Sequence, residues 1–154
     1  MLRRTPLPAI ALLALLTLLA GVLSACGESR LSAAELRSRA GAICHGTADA
    51  IDRIAVPNTP DEGARFLRRG LLRMGPELTR LKALKAPTDL EPEYRLAIEL
   101  ATRELSTISD HERRIRGGSD VIDTFRALEA ALAPITQTEN RAWRALQLPA
   151  CVRR

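Results

Sequence analysis

Apolar side chains recur at spacings of three and four along four successive segments of about 24 residues each. No stretch shows the alternation of period two, with β-branched enrichment, that marks a half-buried strand. Each segment therefore predicts an amphipathic helix. In the first, over residues 32–55, the row is Leu36, Ala40, Ile43, Thr47, Ile51 and Ile54, and Ser32 with Glu35 forms a capping box in front of it. The second carries Ala64, Leu67, Leu71, Met74, Leu78 and Leu81 after a start signal at Thr59, Pro60, Asp61 and Glu62, and Gly75 with Pro76 predicts a kink or a break into two shorter helices. The third presents Tyr94, Ile98, Ala101, Leu105, Ile108 and Ile115, with Thr88 or Asp89 as its cap and Gly117 and Gly118 as its stop. The fourth, capped by Ser119 or Asp120, presents Val121, Phe125, Leu128, Leu132, Ile135, Ala142 and Leu146, with a kink expected at Pro134. Short connections between four such segments predict an all-α fold, an antiparallel up-down four-helix bundle with the last helix beside the first.

The bundle does not use the whole chain. Arg3 and Arg4 precede an uncharged stretch whose dense apolar part, residues 9–22, reads AIALLALLTLLAGV. As a helix, 14 residues span about 21 Å, short of the roughly 30 Å hydrocarbon core of a bilayer. An export signal that is removed fits better than a permanent span. It ends on Leu23, Ser24, Ala25 and Cys26, followed by Gly27.

That tetrapeptide resembles the lipobox of bacterial lipoproteins. The resemblance implies a signal peptide over residues 1–25, cleavage before Cys26, diacylation of the Cys26 thiol, and a chain held on the outer face of the cell membrane by that lipid. An ordinary secretory signal cleaved near Ala25 is the plainer alternative. Residues 26–31 then form a lipidated tether and 32–154 the bundle domain. Of 23 basic residues only Lys82 and Lys85 are lysine, an arginine bias that fits a GC-rich genome. With the lipobox, and with the pattern of Cys44, Trp143, Leu146, Leu148 and Cys151, it makes the chain similar to small actinobacterial lipoproteins.

The three cysteines follow from this reading. Lipidation uses Cys26, and an oxidising compartment makes a disulfide between Cys44 and Cys151 the default for the remaining pair. Closing a loop of about 100 residues is worth about 4.7 kcal/mol in the chain-entropy model. Metal ligation by Cys44 with His45 is the competing use, but no CxxC or HxxxH spacing accompanies it.

No constellation specifies a reaction or a cofactor. His45 has Asp49 four residues on, yet a cysteine held in a disulfide cannot act as their nucleophile. His111, between Asp110 and Glu112, reads as a solvated residue at a charged helix end. Neither histidine has a glutamate three residues before it, so the ExxH pairs of di-iron bundles are missing. Aromatic residues are only 3% of the chain, too few for stacking on nucleobases, which argues against a nucleic-acid partner. The basic stretches 65–73 and 113–116 can meet anionic headgroups or wall polymers, but seven acids with an arginine four residues later predict mostly self-paired helix surfaces. These are Glu35, Asp49, Asp61, Glu91, Glu99, Asp110 and Glu112. The expectation is therefore a monomeric, membrane-anchored structural or interaction module of the cell envelope, not an enzyme, with no metal or cofactor and with an unidentified envelope protein as its partner. The alternative is a lipoprotein that carries a small apolar ligand or lipid between its helices, which requires a cavity of about 300 Å³ or more.

Overall fold

The computed structural model describes residues 29–152, and Cys26 with its lipobox lies outside them. Among the described residues there are four long helices and no strand: α1 Ala33–Asp52, α2 Gly63–Lys82, α3 Glu91–Arg116 and α4 Val121–Ala145. Short 3-10 turns, Pro60–Glu62 and Pro149–Cys151, precede α2 and follow α4.

The ends of the helices follow local chemistry. At α1 the capping box forms: the Ser32 hydroxyl accepts from the Glu35 N–H at 3.2 Å, and the Glu35 carboxylate accepts from the Ser32 N–H at 2.9 Å. The Ser32 N–H and the Ser32 hydroxyl, which donates to the same carboxylate at 2.8 Å, hold the Glu35 carboxyl below the usual carboxylate range, the backbone bond contributing most and the Arg39 charge least. Asp120 caps α4 by accepting from the Asp123 N–H at 2.8 Å. The predicted caps of the two middle helices do not form. Thr59 makes no side-chain cap bond, and α3 starts one residue after the uncapped Leu90, beyond Thr88 and Asp89. Helix α2 also runs unbroken across Gly75 and Pro76, and α4 across Pro134, so neither proline divides its helix.

Helices α3 and α4 end in the same turn. After α3 the Gly118 N–H reaches the Ile115 carbonyl at 3.0 Å and the Ser119 N–H the Arg114 carbonyl at 3.0 Å, with Gly118 at φ +92°. After α4 the Gln147 N–H reaches the Arg144 carbonyl at 2.9 Å and the Leu148 N–H the Trp143 carbonyl at 2.9 Å, with Gln147 at φ 59°. Both are Schellman turns, whose left-handed position favours glycine. The second reverses the chain so that Pro149–Cys151 runs back to α1.

Two hydrophobic clusters fix the alternating direction of the helices. One joins the start of α1 (Leu36, Ala40, Cys44), the end of α2 (Leu81), the start of α3 (Tyr94, Ala97) and the end of α4 (Ala142, Trp143, Leu146). We call this the near end, because the chain enters there. The other joins Leu67, Met74, Ile108 and Leu128 at the far end. Neighbouring backbones pack in the order α1, α2, α3, α4. The circuit is then closed by the C-terminal turn against α1, and the first and last helices share the near-end cluster. Trp143, 1% exposed, is the largest fully buried side chain of that cluster.

Candidate functional sites

Cys44 and Cys151 form the predicted disulfide, with Cα atoms 5.0 Å apart. Cys44 on α1 and Cys151 in the C-terminal turn are both buried, so this pair is a staple in the near-end core. His45, beside it in sequence, points outward and meets Asp49 at 3.1 Å. His111 differs from its expectation. It is buried at 6% exposure and its Nδ1 lies 2.7 Å from the Thr107 carbonyl, because it falls on the inner side of α3 near Ile108. Among the described residues, no three His, Cys, Asp or Glu side chains gather into a group that holds a metal ion.

Sequence reasoning missed a polar layer between the two clusters. Each helix contributes one buried member: Thr47, Glu77, Glu104 and Glu139, all at most 6% exposed. Glu139 accepts the Trp143 indole N–H at 2.9 Å, and the Thr47 hydroxyl donates to the Ile43 carbonyl at 3.2 Å. A buried carboxylate is tolerated only with such partners, and Glu77, Glu104 and Glu139 each have a further one. The layer was visible in principle. Glu104 follows Ala101 by three and precedes Ile108 by four, and Glu139 follows Ile135 by four and precedes Ala142 by three, so both occupy core positions of their rows. A cleft of about 410 Å³ descends from His45 and Asp49 past Met74 to Glu104.

The near end holds the chain entry firmly. The Leu31 N–H donates to the Lys85 carbonyl at 2.9 Å, and Arg30 both donates to the Ala86 carbonyl at 2.9 Å and pairs with Glu91 at 2.7 Å. Arg30 and Leu31, expected to belong to a polar tether, are thus docked on the connection between α2 and α3. Surface pairing also departs from expectation. Of the seven predicted acid-to-arginine pairs, only Glu112 with Arg116, at 2.9 Å, forms at ion-pair distance among the described residues. Asp49 turns to His45, Glu91 to Arg30 and Asp110 to Arg113. A pair on an open helix surface is worth only tenths of a kcal/mol, so any nearer competitor displaces it.

Compared with models of protein families, with curated proteins and with solved structures, the chain matches none.

Proposed function

We propose that the chain is a lipid-tethered structural or interaction module of the bacterial cell envelope, anchored through Cys26 and working by surface contact. The observation that carries this reading is the docked chain entry. Arg30 and Leu31 are fixed to the α2–α3 connection by bonds spanning more than 50 residues of sequence. A lipid on Cys26, four residues earlier, would therefore hold the bundle by one defined end and direct the far end, with its exposed Leu72 and Ile122, away from the membrane. The interior supports the same reading over the carrier alternative. Glu77, Glu104 and Glu139 are buried between the two apolar clusters, so a carried acyl chain would have to pass desolvated polar groups.

Metabolic labelling with a fatty-acid analogue tests the anchor. The natural chain should take up label and Cys26→Ser should not; equal labelling would sink the proposal. A fluorescent fatty acid tests the mode of action, and saturable one-to-one uptake would favour the carrier.

A further inference from the structure

The only two lysines of the chain lie where the chain enters the bundle. Lys82 and Lys85, with Arg30 and Arg95, rim an open pocket of about 500 Å³. Its floor is apolar, made by Leu84, Ile98 and the ring of Tyr94. One carboxylate, Glu91, shares the lining and is engaged by Arg30, so Lys82 and Arg95 carry a positive excess. Among the described residues no carboxylate pairs with Lys82 or Arg95. An adjoining cleft of about 280 Å³ shares Arg30, Leu84 and Lys85 and adds Glu35 and Arg39 from α1, a pair of opposite charges.

A cationic rim over an apolar floor is complementary to an anionic amphiphile. Phosphate oxygens take charge-assisted hydrogen bonds from the guanidinium and ammonium groups, while the glycerol and first methylenes cover the floor. We propose that this pocket binds the phosphate headgroup of an anionic membrane phospholipid and so seats the near end on the bilayer. The proposal rests on the Cys26 anchor for its orientation. Four residues separate Cys26 from Arg30 and reach at most about 14 Å, so an anchored chain keeps the pocket at headgroup level. The denser basic stretches of the sequence do not compete. Residues 113–116 lie at the other end of the 26-residue α3, about 27 to 32 Å along its axis from Arg95, and residues 65–73 begin at that same far end. The surface field of an anionic leaflet fades within a Debye length of about 8 Å.

The two lysines supply their own probe. The full processed chain is reconstituted on vesicles of phosphatidylcholine alone or mixed with phosphatidylglycerol, and the rate of amine acetylation at each lysine is read by mass spectrometry. Lys82 and Lys85 should react at least about fivefold more slowly on the anionic vesicles, the factor that one basic group near such a surface contributes. Arg95→Gln, an exposed change outside the core, should reduce that protection. A reporter at the far end, Arg69→Lys, should react equally on both vesicles. Equal rates for Lys82 and Lys85 on the two vesicles would overturn the proposal, as would equal protection of the far-end reporter. The same protection on neutral vesicles by inorganic phosphate would assign the pocket to a free phosphate, and by soluble polyglycerol phosphate to a wall polymer; either overturns it. Flotation with neutral vesicles reports the anchor separately. A chain that floats without lysine protection refutes the headgroup site alone, and one that fails to float yet is protected refutes the anchor alone.

Discussion

At the near end Leu36, Ala40, Trp143 and Leu146 are at most 1% exposed, the disulfide joins α1 to the C-terminal turn, and Tyr94 meets Trp143 edge to face with ring centroids 6.1 Å apart. At the far end Leu67, Met74, Ile108 and Leu128 keep 5 to 9% exposure, Phe66 and Phe125 are only half-buried, and Ile122 and Leu72 stand 58% and 65% exposed. The same four helices thus build one end as a dry, cross-linked core and the other as a looser aliphatic contact. Local opening follows the number and depth of buried apolar contacts, so the far end should open at lower free energy than the near end. Under the proposed anchoring through Cys26, the rigid end is the one held at the membrane.

The contrast breaks if core truncations cost the same at both ends. Trp143→Ala should lower unfolding free energy by about 4 kcal/mol, because it empties the largest buried volume and also strips Glu139 of the indole N–H. Leu128→Ala at the far end should cost about 2 kcal/mol, since its half-exposed neighbours can close around the gap. Denaturant melts of both variants decide the matter; equal losses would mean that the two ends are one core. Next in size is the disulfide. Reducing it, or Cys44→Ala with Cys151→Ala, should cost about 3 kcal/mol through freedom regained by an unfolded chain whose cross-linked residues are 107 apart. Circular dichroism should show the helices retained, and hydrogen exchange should accelerate at the near end first. Two reactive thiols at Cys44 and Cys151 in the protein isolated without reductant would refute the bond.

Much of this fold could be read from the sequence, because periodicity and capping are local. Ser32 and Asp120 cap where expected, the four helices appear, and cysteine parity finds the pair that folding brings together. What was not legible depends on distance along the chain. Arg30 prefers Glu91, 61 residues away, over solvent, and Glu91 thereby abandons Arg95. The polar layer was missed for another reason: a glutamate in an apolar row reads as solvent-facing unless the row is followed by position and not by hydrophobicity. The basic pocket combined both difficulties. Its cations come from the chain entry, α2, the following connection and α3, and none lies in the dense basic stretches that drew attention in the sequence.

A smaller effect sharpens the comparison through the two Schellman turns. The far-end turn has Gly118 at its left-handed position, whereas the near-end turn places Gln147 there. A side chain in that conformation costs about 1 kcal/mol. Gln147→Gly should therefore stabilise by up to about 1 kcal/mol, reduced by the greater freedom of glycine in the unfolded chain, and Gly118→Ala should destabilise by about 1 kcal/mol. Thermal melts check the opposite signs. A loss from Gln147→Gly would show that the glutamine side chain holds the turn in a way that outweighs its backbone strain.

The smallest expected effect at neutral pH belongs to Tyr94, and it grows only in alkali. Its hydroxyl donates to the Leu81 carbonyl at 2.8 Å, but that carbonyl also accepts the Leu84 N–H at 3.0 Å. Tyr94→Phe then leaves no orphaned acceptor and should cost about 0.5 kcal/mol. Burial pushes the phenol above its ordinary value of 10.0, because the phenolate would lose its hydration in the near-end core. The folded chain therefore keeps a proton that the unfolded chain releases. Stability from this group is fully present below pH 10 and is lost as pH rises above it. Tyr94 is the only tyrosine, so phenolate absorbance reports this one site. In the native protein the band should stay absent at pH 10 and appear together with loss of helix, whereas in urea it should titrate near pH 10. Tyr94→Phe should flatten the fall of stability above pH 10. A phenolate band that rises near pH 10 with the helices intact would mean that water reaches Tyr94 in the folded state, and the dry near end on which the comparison of the two ends rests would be lost.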